Sequence, residues 1–183
     1  MRIVLASSSP RRRELLSKIT TDFQIIPSDV EERPTATLPT DVVQELAYVK
    51  AVSVHAQNPD ALVIGCDTVV DLDGEIMGKP RSPVHAKQML HALSNRTHFV
   101  HTGACIIYKT QVFRFCDSTS VTFRPLTDAE IDNYVNSGLA QDKAGAYGIQ
   151  ECGFVQSYDG SYDNVVGFPT ERIAVILDKL MKG

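Results

Sequence analysis

Apolar residues along the 183-residue chain follow two periods, and the change from one to the other marks out the expected elements. Residues 2–6 read as a short buried strand. Ser9-Pro10 then supplies a capping hydroxyl and a proline suited to the first helical position, with Leu15, Leu16 and Ile19 as the apolar face. Phe23–Ile26 predicts a second strand, followed by a proline-punctuated polar loop. Thr40 is the expected cap of a helix over about 41–57. Ala61–Cys66 is an unbroken apolar run, the pattern of a strand covered on both faces. Val69–Leu72 and Glu75–Met77 flank Asp73-Gly74, a hairpin signal. Ser82-Pro83 opens a helix with Ala86, Met89, Leu90 and Leu93 on one side.

Strand material fills 97–108 and 111–123, and Thr127 with Glu130 forms a capping box for a helix near 128–137. A glycine-punctuated stretch runs from 144 to 167. Pro169 begins a last helix with Ile173, Ile176, Leu177 and Leu180 inward. Helices and strands alternate early and antiparallel strands dominate the middle, so the expected fold is mixed α/β, in a single domain over 1–183 without internal repeats.

Composition narrows the function classes. The chain is 43% hydrophobic, enough for a proper core, and its net charge is −4. No general basic field recruits nucleic acid or an anionic membrane, so an anionic ligand must be met by a few local cations. The opening residues lack a signal segment, and no apolar run approaches the ~20 residues of a membrane span. Cys66, Cys105, Cys116 and Cys152 have no C-x-x-C spacing and read as buried free thiols, which suits a reducing, cytoplasmic setting.

Candidate chemistry sits where residues conflict with a purely structural reading. Ser7-Ser8-Ser9-Pro10-Arg11-Arg12-Arg13 joins a strand end to a helix N-terminus, where free N–H groups and the helix dipole favour an anion. Arginines in a first turn oppose that dipole, and an anionic ligand removes the conflict; a solvated basic turn is the bland alternative. The Gly-Lys-Ser/Thr ending of a Walker loop is absent. Lys50 shares a helical face with Val43, Ala47 and Val54, so it either snorkels to water or faces a polar cavity. Asp67 follows the apolar run 61–66, at an expected strand carboxyl end where ligands of open α/β sheets gather. Glu31 and Glu32 offer a second carboxylate, and Lys79-Pro80-Arg81 adds cations. The five histidines lack metal spacing. An anion cradle, two lysines and one or two carboxylates suit metal-assisted phosphoryl chemistry.

The segment Leu5-Ala6-Ser7-Ser8-Ser9-Pro10-Arg11-Arg12-Arg13-Glu14-Leu15-Leu16 resembles the opening signature of the Maf family of nucleotide pyrophosphatases. The resemblance continues in order through Val30-Glu31-Glu32, Lys50-Ala51, Gly65 to Val70, Gly78-Lys79-Pro80, Leu93-Ser94, Asp142 to Gln150, and Gly160 to Pro169. It implies a Maf-type fold akin to inosine triphosphate pyrophosphatases, with a cleft between two lobes. It also implies a divalent cation, Mg²⁺ or Mn²⁺, held by Glu32 and Asp67, and release of pyrophosphate from a nucleoside triphosphate.

Asp67 corresponds to the family's proton acceptor, with Glu32, Lys50 and Lys79 catalytic beside it. Ser8, Arg11, Arg12, Thr68 and Gln150 correspond to substrate-binding positions, and Gln150 is reached by the resemblance alone. Arg11, Thr68 and Gln150 resemble the branch acting on dTTP and UTP, with modified pyrimidine nucleotides in the same class. A glutamine amide meets the adjacent acceptor and donor of uracil or thymine, whereas a carboxylate suits guanine. Asn95 and Glu151 stand where the family usually has glycine, and Cys66 where alanine is commoner. Glu151 would bring a new charge beside the base reader.

A role in nucleotide-pool cleansing or cell-division arrest accompanies the resemblance, and a homodimer is compatible with it. The rival readings are a non-catalytic nucleotide-sensing regulator of septum formation and an RNA-binding module. Intact Asp67, Glu32 and Lys79 weigh against the first, and the negative charge weighs against the second.

Overall fold

The computed structural model describes residues 1–182. The chain begins with β1 (Ile3–Leu5), α1 (Pro10–Ser17), β2 (Gln24–Ile25), α2 (Pro39–Gln57) and β3 (Leu62–Leu72). β4 (Glu75–Met77), α3 (Pro83–Leu93), β5 (Thr97–Tyr108) and β6 (Gln111–Phe123) follow. The rest is α4 (Asp128–Asn136), a 3-10 turn at Ala144–Ala146, β7 (Val155–Asp159), α5 (Tyr162–Val166) and α6 (Thr170–Lys182). All described strands join one mixed sheet in the order β2-β1-β3-β5-β6-β7, with β4 paired to β3 off that path. β1 runs parallel to β2 and β3, and the remaining pairs are antiparallel. The mixed α/β expectation holds.

Alternation along the strands distributes the core to both faces. Ile3 and Leu5 of β1, with Leu62 and Ile64 of β3, pack against Leu15 and Leu16 of α1 and Ile173 and Leu177 of α6. Val4 and Val63 point the other way, to Ala47, Ala51 and Val54 of α2. A third cluster lies at the far end, where Leu90 and Leu93 of α3 and Ile131 and Val135 of α4 meet Val100, Val121 and Phe123.

Two glycines let α2 lie unusually close to the sheet. A Cβ on Gly103 would stand 2.2 Å from the Val43 carbonyl oxygen, and one on Gly65 would stand 2.4 Å from that of Ala47.

Local signals explain most helix starts. Ser9 caps α1 by accepting from the Arg12 amide, Ser82 caps α3, and both bonds of the Thr127–Glu130 capping box are made. α2 differs from expectation: Pro39 takes the first turn and Leu38 precedes it without a side-chain cap. Proline's fixed φ sets that start, and Thr40 lies inside the helix. The hairpin turn holds Asp73 at φ 55° and Gly74 at φ 88°, as a primed two-residue turn requires. Asn95 occupies the left-handed region at φ 56°, which asparagine visits more readily than most residues.

A larger difference concerns Asp67. The run 61–66 does not end there: β3 is one eleven-residue strand, with Asp67 opposite Gly103 and Thr68 opposite Thr102 in the β5 ladder. What ends instead is β1. On the side away from β5, β3 pairs with β1 over 62–64 and with β4 over 70–72. Residues 65–69 have a strand neighbour on one side only, and this gap in the sheet opens into the cleft.

Candidate active site

Asp67 and Thr68 are consecutive in β3, so their side chains leave opposite faces. Asp67 reaches the α2 face, where the close approach at Gly65 and Gly103 brings Lys50 to it: Nζ lies 2.6 Å from Asp67 Oδ1. The same ammonium lies 2.9 Å from Glu32 Oε1, in the loop after β2. The Lys50 and Asp67 side chains are 13% and 12% exposed, so Lys50 faces a polar cavity rather than water. Of the two readings its apolar stripe allowed, the structure selects the cavity.

Thr68 reaches the α1 face and meets Arg12. Arg12 is held at three points: Nε donates to the Gly167 carbonyl at 2.9 Å, Nη1 to Ser7 Oγ at 3.3 Å, and Nη2 to Thr68 Oγ1 at 3.1 Å. A guanidinium has five N–H groups, so one on each terminal nitrogen is left over. Arg11 is engaged differently, donating to Asp142 Oδ2 at 2.8 Å across the cleft mouth. Burial alone would raise the Asp142 carboxyl, but hydrogen bonds from Arg11 and Lys143 reverse this and hold its pKa at about 2.

These side chains line one cleft of about 900 Å³, with Arg11, Arg12, Glu32, Lys50, Asp67, Thr68, Lys79 and Gln150 in its wall. Ser8 lines an adjoining recess shared with Arg11, Arg12, Glu32, Lys50 and Lys79. The structure therefore gathers all nine candidate residues, although 142 positions separate Ser8 from Gln150 in sequence. Among the described residues, Lys79 and Gln150 form no ion pair or side-chain hydrogen bond, which leaves an ammonium and an amide open to a ligand.

Glu151 stands apart from the cleft wall. Its Oε1 lies 3.0 Å from Lys143 Nζ and accepts from the Tyr134 hydroxyl at 3.3 Å, so its charge is already met. Within the wall, Tyr147 packs edge-on to Phe123 and shares a 2.8 Å hydrogen bond with His98 behind it. Burial holds the His98 imidazole down at about 4 and pushes the Tyr147 phenol well up, so both are neutral.

Sequence reasoning did not single out Asp142, Thr102, Gly167 or Tyr147 as site builders. Asp142 lies 131 positions from Arg11, and no spacing rule joins them. Thr102 carried no signal beyond a polar position inside a strand.

Comparison with known proteins fits this geometry. A family model described as Maf-like protein matches residues 2–180. The chain belongs to the Maf family. Among Maf relatives, a dTTP/UTP pyrophosphatase of Bacillus cereus is 47% identical over 175 residues, covering 94% of this chain and 92% of its own. A Bacillus anthracis protein of the same name is 48% identical over the same shares. The Maf fold is similar to that of the Ham1 protein of Staphylococcus aureus, with a TM-score of 0.57 at 16% identity over 98% of this chain and 99% of the other. It is also similar to a nucleoside-triphosphatase / dITP/XTP pyrophosphatase of Mycobacterium abscessus, with a TM-score of 0.50 at 14% identity over 97% and 95%.

Proposed function

We propose that this Maf protein hydrolyses dTTP and UTP, and pyrimidine nucleotides modified in the base, to the monophosphate and pyrophosphate. The observation that carries the reading is the meeting of Asp67, Lys50 and Glu32 in one cleft with Arg12 and Lys79. The names borne by relatives at 47% and 48% identity supply the substrate class.

Asp67 takes the proton of the water that attacks the α-phosphorus, a task that needs an ionised carboxylate held in place. Lys50 holds it, and binding of Lys50 to Glu32 fixes the ammonium from its other side. Arg12 and Ser8 grip the triphosphate in substrate and transition state alike, and Lys79 offsets charge that grows on the departing pyrophosphate. Gln150, with a free amide, offers a donor and an acceptor together to O4 and N3–H of the pyrimidine.

The donor set fits a divalent cation. Asp67 and Glu32 converge on one positive charge, and among the described residues no hydrogen bond engages Asp67 Oδ2. One or two carboxylates completed by substrate phosphates and water is the usual way Mg²⁺ is held. Bound by Asp67 and Glu32, the ion would supply Lewis acidity and charge neutralisation.

The test is a turnover panel with Mg²⁺ or Mn²⁺, separating pyrophosphate from orthophosphate. We expect dTTP and UTP to be consumed well above ATP and GTP, with pyrophosphate as the first product. Orthophosphate first would overturn cleavage at the α-phosphorus, and nucleotide binding without turnover would favour a sensing role.

A further inference from the structure

We infer that Thr102, a buried residue of β5, is a positioning residue that orients the Arg12 guanidinium through Thr68. The argument is an accounting of hydroxyl protons. Thr102 is fully buried, so water does not serve it. Its Oγ1 lies 2.9 Å from the backbone carbonyl of Asn164, which has no proton to give, so the single Thr102 proton goes there. Thr102 Oγ1 is also 3.0 Å from Thr68 Oγ1, and with its own proton spent it accepts. The Thr68 proton therefore points inward to Thr102, and the oxygen of Thr68 faces Arg12 Nη2 as an acceptor.

Donation thus runs one way, from Arg12 to Thr68 to Thr102 to the Asn164 carbonyl, and bonds aligned in this sense polarise one another. The far end is anchored. Asn164 is fully buried, and its side-chain amide donates to the Val100 carbonyl at 3.1 Å and to Thr119 Oγ1 at 2.9 Å. Gly167, which closes α5 at φ 112°, presents its carbonyl to Arg12 Nε from the same segment, and a Cβ there would stand 3.1 Å from Thr68 Oγ1.

Thr68 consequently has no proton left for a substrate carbonyl. Its influence on the ligand passes through Arg12, whose two spare N–H groups are presented to the cleft at a fixed angle. This rests on the reading of the cleft as a nucleoside triphosphate site.

The experiment is steady-state kinetics with UTP, inhibition by pyrophosphate, and thermal melting for Thr102→Val, Thr102→Ser, Thr68→Val, the double valine variant and Arg12→Ala. Thr102→Val keeps the branched shape and removes the relay. We expect its KM for UTP and its pyrophosphate inhibition constant to rise together by roughly 5- to 20-fold, as when a charge-assisted hydrogen bond is lost. Its kcat should stay within about 3-fold, the sign of a contact made equally to substrate and transition state.

Thr102→Ser restores the hydroxyl and should return KM to within about 2-fold. Thr102→Val should add nothing once Thr68 is valine. Unchanged KM in Thr102→Val, failure of serine to rescue, or additive effects in the double variant would each overturn the relay. If Thr102→Val does not fold, Thr102→Ala decides in its place, because it also removes the relay hydroxyl and must show the same rise. Arg12→Ala separates the two levels: unchanged KM there sinks the site reading, whereas a raised KM beside a silent Thr102→Val sinks only the relay.

Discussion

Asp67 accepts from the Lys50 ammonium at 2.6 Å while Lys50 also holds Glu32, so an amide at position 67 would keep the shape and lose the charge and, on the proposed mechanism, the proton acceptor. For Asp67→Asn we expect pyrophosphate release from UTP to fall by at least ~10²-fold, within the range for a general base. Circular dichroism and melting should remain near parental, since Lys50 retains Glu32. Near-normal turnover would move the proton acceptor to Glu32. At this scale the sequence was informative wherever a residue contradicted its surroundings, such as a lysine on an apolar stripe or arginines in a first turn. It was silent on Asp142 and Thr102, because a carboxylate in a polar loop and a threonine in a strand contradict nothing. Gln150 was reached only by resemblance, since a glutamine followed by glutamate carries no pattern of its own.

Helix α2 carries Lys50, and its height above the sheet decides whether the ammonium reaches Asp67. Gly103 sets that height, because any side chain there meets the Val43 carbonyl. For Gly103→Ala we expect a loss of ~1–3 kcal/mol, the usual cost of overpacking. At about 2–4 °C per kcal/mol for a chain of this size, the melting temperature should drop by several degrees. UTP turnover should fall with it as Lys50 is displaced from Asp67, and a variant with parental melting and turnover would contradict the close approach.

α3, α4 and β6 were legible because they bury one face, and β5 because its residues are buried in a nearly continuous run. β7 and α5 were not: β7 is mostly exposed and α5 is a single short helix between glycines. The expected strand end at Asp67 was misread because its carboxylate breaks the apolar run, whereas the backbone ladder to β5 continues through it.

At the level of the whole molecule, stability responds to pH through His98. The imidazole is buried among Phe123 and Tyr147 and has a pKa of about 4, against an ordinary value of 6.5. Between those values the unfolded chain binds a proton at position 98 and the folded one does not, so stability rises with pH. The contribution is complete above pH 6.5 and is lost on acidification toward 4, about 3 kcal/mol in all. Denaturant melts at pH 7, 6, 5 and 4 should show this decline, and His98→Gln should flatten it within that window. An unchanged slope in the variant would assign the decline to other groups. The one-sided stretch of β3 has a further consequence, for the length changes the chain can tolerate. Asp67 serves Lys50 and Thr68 serves Arg12 because neighbouring strand residues face opposite ways. A single inserted or deleted residue between the β1 and β4 pairings would send the carboxylate to the arginine and the hydroxyl to the lysine. The turn at Asp73-Gly74 can change length without that exchange, so in lineages of this fold gaps should fall in the hairpin turn and be absent from residues 65–69.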